Sequence, residues 1–197
     1  MLNIATALLN RFLKIAVFSF TALAVGACGG GSTSSGGPVV PVAPPLTFFS
    51  VGFYDGTTTL TGSGENIVPT NDETGGISLE VRGSVAGQQQ VRIAFAQFSG
   101  TSAIGPDGEF SIPSGLFSIS IRGVRSNSII ARCRGELLFE GVFNDSSVSG
   151  NITSTTDFTC DVPDLGPLTL SGTFEANQGA AKRFESTGAV ILWATNY

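Results

Sequence analysis

Leu137-Leu138-Phe139-Glu140-Gly141-Val142-Phe143 puts Leu, Phe, Gly and Phe at every second position, and Leu168-Thr169-Leu170-Ser171-Gly172-Thr173-Phe174 repeats the pattern as Leu, Leu, Gly and Phe. A period of two is the signature of a β-strand with one buried face, whereas a helix would need a period near 3.6. Shorter versions stand at Leu79-x-Val81-x-Gly83 and Ile119-x-Ile121-x-Gly123. In each, glycine falls on the apolar, inward register. Glycine weakens a strand interior, so its recurrence fits bends where a sheet coils, although a glycine-rich β-protein also scatters glycines without such a role.

Outward from these units the strand signals come in a row. Leu46 to Phe53 reads as a strand ending at the turn Tyr54-Asp55-Gly56, with Thr57 to Thr61 as its hairpin partner. Asn71 to Gly76 reads as a loop. Ile77 to Val85 and Val91 to Ala96 alternate, Gly105-Pro106-Asp107-Gly108 is a turn, and Phe117 to Arg122 alternates again. Ser128 to Arg134, Leu137 to Phe143, Val148 to Thr153, Leu168 to Phe174 and Ala189 to Trp193 complete the series. About ten short strands with frequent turn signals describe an all-β antiparallel meander, a small barrel or sandwich of about 8–10 strands. The crossover segments of a parallel βαβ fold are missing. One short helix is expected near the end, over Gln178 to Ser186.

The amino-terminal segment has another composition. Arg11 and Lys14 precede the apolar run Ile15 to Val25, broken only by Ser19 and Thr21, and the small residues Gly26 and Ala27 follow. A charged region, a short apolar region and a small-residue cleavage site make a secretory signal. The uninterrupted run is shorter than the ~20 residues a membrane-spanning helix requires.

Val25-Gly26-Ala27-Cys28 resembles a bacterial lipoprotein signal: an aliphatic residue, a variable one, Gly or Ala, then Cys. The resemblance covers the segment up to Cys28. It implies cleavage after residue 27, a diacylglycerol on the Cys28 thiol and a fatty-acyl group, such as palmitate, on the new amine. It also implies an outer-membrane address, because Gly29 stands where Asp retains Gram-negative members in the inner membrane. Two or more acyl chains, at ~0.8 kcal/mol per buried methylene, hold a protein at a membrane essentially permanently. The other reading is an ordinary secretory signal that leaves Cys28 in the mature chain.

Residues 28 to 46 carry no periodic apolar pattern. Gly and Ser fill the first half, and Pro38-Val39-Val40-Pro41-Val42-Ala43-Pro44-Pro45 fills the second. Such a tether spans ~15–18 Å in its flexible half and ~25 Å in its polyproline half. The expected organisation is a cleaved signal over 1–27, a lipidated tether over 28–46 and one β-domain over 47–197. The transferrin-binding-protein-like group of lipid-anchored β-barrels is similar in outline. That likeness rests on the Leu137 to Phe143 and Leu168 to Phe174 units and covers at most the last third of the chain. No binding residue is carried over from it.

The 197 residues hold fifteen acids, all beyond residue 27, and losing Arg11 and Lys14 with the signal takes the formal charge from −5 to −7. An acidic, lysine-poor domain argues against nucleic acid as a partner. The three cysteines divide accordingly: Cys28 takes lipid, and Cys133 and Cys160 remain to pair in an oxidising compartment. No CxxC spacing points to redox chemistry.

The chain contains no histidine. That removes Ser-His-Asp and Cys-His catalysis in their common form and the most frequent metal ligand. A Ser-Lys dyad would have to use Lys182, which no serine motif accompanies. Glu136/Glu140 and Asp161/Asp164 read as solvated acids, and neither Asn71 to Gly76 nor Asp161-Val162-Pro163-Asp164 has the alternation of a calcium loop. No catalytic or metal site and no cofactor is therefore expected. The expectation is an interaction or structural module held to the membrane by lipid, its partner an envelope or surface protein. The alternative is a barrel interior that binds a small apolar ligand, lined by Phe95, Phe117, Phe139 and Phe174. A lesser alternative is a membrane-spanning barrel, whose aromatic C-terminus Tyr197 resembles, though two Tyr and one Trp are few for its girdles.

Overall fold

The Leu137 to Phe143 unit lies inside a longer strand, Ile129–Asn144, which buries every second residue from Ala131 to Phe143. The computed structural model describes residues 46–68, 73–179, 189–195 and 197. Its strands are β1 (Gly52–Gly64), β2 (Glu73–Arg82), β3 (Gln90–Phe95), β4 (Phe98–Ala103), β5 (Glu109–Gly123), β6 (Ile129–Asn144), β7 (Ser147–Ser154), β8 (Thr159–Cys160), β9 (Leu168–Gln178) and β10 (Ile191–Ala194). One 3-10 turn, Pro163–Leu165, is the only helical element among the described residues.

The all-β expectation holds. The strands form one sheet in the order β10-β5-β6-β7-β9-β1-β2-β3-β4, with β8 attached to β6. Every ladder is antiparallel except that of β10 with β5. Two meanders, β1 to β4 and β5 to β7 followed by β9, are joined where β9 pairs with β1 from Leu168 to Gln178. The sheet curls into a half-barrel. Its two meanders meet side by side at β4 and β5, where contact passes through side chains. Phe98 stacks on Phe139 with ring centres 5.3 Å apart, and a Cβ on Gly100 would run into Ile112.

Several strands are longer than local patterns predict. Tyr54-Asp55-Gly56 is not a turn: β1 runs straight through it, paired with β2 on one side and β9 on the other. The Ser78 hydroxyl donates to Asp55 Oδ1 at 2.9 Å, and Gly56 is needed because a Cβ there would strike the Glu175 carbonyl oxygen. Close approach of a neighbouring backbone, not a turn, explains this glycine. Glu73 to Gly76 likewise forms the start of β2, opposite Thr57 to Leu60, instead of a loop. Gly135 does not separate two strands either. It lies under the Phe158 ring, which a Cβ would meet at 2.6 Å. β4 shows no apolar alternation because its edge meets only the seam. The expected helix begins inside β9, at Gln178, and residues 180 to 186 lie outside the described residues.

The inward faces make one continuous core. Phe95, Phe117, Phe139 and Phe174 are each at most 3% exposed. Phe95 lies 5.9 Å from Phe117 and 5.7 Å from Phe139, centre to centre. Two inward glycines form a floor across neighbouring strands, Gly141 of β6 opposite Gly150 of β7. The rings of Phe110 and Phe174 converge over it, 6.3 Å apart, and a Cβ on either glycine would collide with them. The recurring glycines are thus explained by aromatic packing at Gly141 and by contact with the Thr59 backbone at Gly172.

Candidate functional site

The described residues offer three places where chemistry or recognition could reside. Cys28 is not among them, since residues 1 to 45 lie outside the described set.

The first place is the cysteine pair. β8 runs beside the outer half of β6 so that Cys133 and Cys160 are directly opposite, with Arg134 opposite Thr159. The two cysteines form a disulfide across 27 residues of sequence. Cys133 is fully buried, and Asp161 continues the contact: its Oδ1 accepts the Arg132 N–H at 2.8 Å, and its N–H donates to the Arg132 carbonyl at 3.0 Å. The sulfurs therefore staple the β7–β9 connection onto β6.

The second place is the end of the half-barrel where the domain joins the preceding chain. Residues 46 to 51 lie as a strap across this end. The Phe49 ring packs against Phe143 with centres 5.9 Å apart, and Phe143 packs in turn against Tyr54 at 5.3 Å. Gln89 is only 2% exposed and hydrogen-bonds both polar groups of the Phe49 backbone. The Tyr54 hydroxyl donates to the Ser50 carbonyl at 2.8 Å, and burial pushes the phenol above its ordinary value. The Phe49 ring and the Gln89 amide thus fix the strap against this end of the core.

The third place is the outer face of the sheet over β5, β6, β7 and β9. An open depression of about 840 Å³ lies there, near the strap end, and Glu109, Glu140 and Glu175 border it. The Glu109 carboxylate also accepts the Asp107 N–H at 3.0 Å in the β4–β5 turn. At the opposite end of the same face stand Arg122 on β5 and Arg132 and Arg134 on β6, with Arg125 in the turn between those strands. The Arg122 guanidinium lies 5.6 Å from the centre of the Trp193 ring, and its Nη1 reaches Asn127 Oδ1 at 3.5 Å. Among the described residues these four arginines form no ion pair; the one found joins Arg82 to Glu80.

The acids considered from sequence are dispersed. Glu136 and Glu140 are exposed on the outer face of β6, Asp161 caps Arg132, and the Asp164 carbonyl accepts from Asn66 Nδ2 at 2.9 Å. Among the described residues no three His, Cys, Asp or Glu side chains gather as a metal-ligand group. Lys182 lies outside the described residues. Of the phenylalanines considered as a ligand lining, Phe95 packs on Phe117 and Phe139, Phe174 packs on Phe110, and the depressions next to them open to solvent. Sequence reading did not pick out the separation of charge along the β5–β6 face. Its signal was present in Arg122 to Arg134 against Glu140, but which residues share a face depends on a register that includes a bulge at Ser114-Gly115.

No known family model matches the chain, and no curated protein matches it significantly.

Proposed function

We propose that the chain is a lipid-anchored outer-membrane lipoprotein that works as a non-catalytic interaction or structural module. The carrying observation is the Val25-Gly26-Ala27-Cys28 motif, placed between a charged, apolar leader and a Gly/Ser/Pro tether. In this reading the leader is removed, Cys28 carries the acyl chains, and residues 29 to 46 hold the β-domain a few tens of ångströms from the headgroups. The absence of histidine from the sequence and the dispersal of the acids support a role in contact, not in turnover. The outer face, with its depression and the four arginines that make no ion pair among the described residues, supports partner binding there.

Binding of a small apolar ligand in the interior is the second reading. Mutual packing of Phe95, Phe117 and Phe139 weighs against it.

Density-gradient separation of inner and outer membranes tests the proposal. Wild-type protein sediments with the outer membrane and resists high-salt extraction. Recovery in the soluble periplasmic fraction would contradict it.

A further inference from the structure

The β5–β6 ladder presents an outer face whose rungs can be read in order. From the strap end they are Glu109 with Val142, Ser111 with Glu140, Pro113 with Leu138, Leu116 with Glu136, Ser118 with Arg134, and Ser120 with Arg132. One end of this face is acidic and the other basic. Between them lie Pro113, Leu138 and Leu116, with the Glu136 carboxylate beside Leu116; Leu116 is 72% exposed, the highest value among the large exposed apolar side chains. A two-fold axis lying in the plane of the face, across the strands and midway between the two central rungs, reverses this order. It sets Arg134 of one copy opposite Glu140 of another, Ser120 with Arg132 opposite Glu109 with Val142, and Leu116 opposite Pro113.

We propose that this face is a homodimer interface, occupied by a second copy of the chain in antiparallel orientation. Self-complementarity is what a two-fold interface demands, because each patch must meet its mirror partner in the list. Arg134 meets Glu140, and Arg132 meets the rung that carries Glu109, so each of these attractive contacts occurs twice, while Glu136 meets Leu138 and adds no charge pair. Glu140 borders the depression of about 840 Å³, which receives the arginines that project from the other copy. Arg132 is not wholly uncompensated, since Asp161 hydrogen-bonds its backbone, but that carboxylate makes no ion pair with the guanidinium. At ~3.4 Å per residue the six rungs span ~35–40 Å, and strands ~4.8 Å apart make the face ~10–15 Å wide. The buried area is then roughly 1,000 Å² in total, the range of a weak, reversible complex and not of an obligate dimer. Confinement to a membrane surface suits such an affinity. Antiparallel copies place their tethers at opposite ends, and a dimer lying flat lets both tethers, ~40 Å long, reach one bilayer.

The inference deepens the proposed reading by naming the partner, and rests on it for the role as an interaction module and for confinement to a membrane. The test uses the full mature chain and two outer-face variants, Arg134→Glu and Glu140→Arg, with association followed by sedimentation at low and high salt. Wild type forms dimers that dissociate as salt rises. Each variant alone faces like charges at both symmetric contacts and associates at least about tenfold more weakly. An equimolar mixture restores dimers, since the variants then complement each other at both contacts. A wild type that stays monomeric up to about 0.1 mM, single variants that dimerise normally, or a mixture that stays monomeric would overturn the interface. Membrane attachment of the same variants, scored separately, tells failure of the interface from failure of the anchor.

Discussion

The Gln89 side chain grips the Phe49 peptide from both sides: Phe49 N–H donates to Gln89 Oε1 at 2.8 Å, and Gln89 Nε2 donates to the Phe49 carbonyl at 2.7 Å. One buried amide thus acts as a neighbouring strand would, and it holds the strap of residues 46 to 51 to the sheet. Replacing Gln89 by Ala leaves a buried N–H and a buried carbonyl unpaired, at a cost of about 2–3 kcal/mol. Denaturant unfolding reads the loss, and hydrogen exchange at the Phe49 amide accelerates more than exchange in β6. Unchanged exchange at Phe49 would show that the strap is held by other means.

Gly56 distinguishes a turn from a strand interior. In a turn without positive φ, alanine would be tolerated, whereas here its Cβ meets the Glu175 carbonyl oxygen and the Ala176 backbone. Gly56→Ala therefore forces β1 and β9 apart. The cost is several times the ~0.5–1 kcal/mol by which glycine ordinarily differs from alanine in a strand, and it acts in the direction of instability. A variant with the same unfolding midpoint as wild type would restore the turn.

The two glycine-bearing units reveal how far the sequence can be read. Leu137 to Phe143 and Leu168 to Phe174 are strands because a period of two is local, and any pairing partner satisfies it. Tyr54-Asp55-Gly56 misleads because Asp-Gly is a turn signal only when nothing pairs on either side, and here β2 and β9 both do. β4 was invisible: Phe98 to Ala103 has no alternation, and Gly100 is fitted to Ile112 across the seam. The Cys133–Cys160 pairing followed from counting, since one cysteine was already assigned to lipid. The charge-divided face did not follow, because the bulge at Ser114-Gly115 sets which side chains align.

The disulfide closes a loop in the unfolded chain, its ends 27 positions apart in sequence. On the chain-entropy account its removal by the paired change Cys133→Ala and Cys160→Ala lowers stability by about 3–4 kcal/mol. The buried Cys133 position adds little, as alanine leaves a small void. Thiol titration of denatured, unreduced wild-type protein gives no free thiol from this pair. Two free thiols there would contradict the staple.

Tyr54 gives the fold an alkaline limit. Burial raises its folded pKa above the ~10 of an unfolded tyrosine. Its contribution is fully present below pH 10 and is lost as pH rises through the folded value, because the unfolded chain releases the proton first. Tyr54→Phe removes this slope and loses the bond to Ser50, about 1 kcal/mol at neutral pH. Unfolding free energy measured from pH 8 to 11 reads both effects. An equally steep alkaline decline in the variant would assign it to another group.

Everything about place depends on Cys28. Mass analysis of the amino-terminal peptide from membrane-extracted protein tests it most directly. The account predicts a peptide beginning at Cys28 and carrying a diacylglyceryl group on sulfur with a further acyl chain on nitrogen, while Cys28→Ser yields no acylated peptide and leaves the β-domain folded. A peptide that retains residues before Cys28, or begins there unmodified, would contradict it.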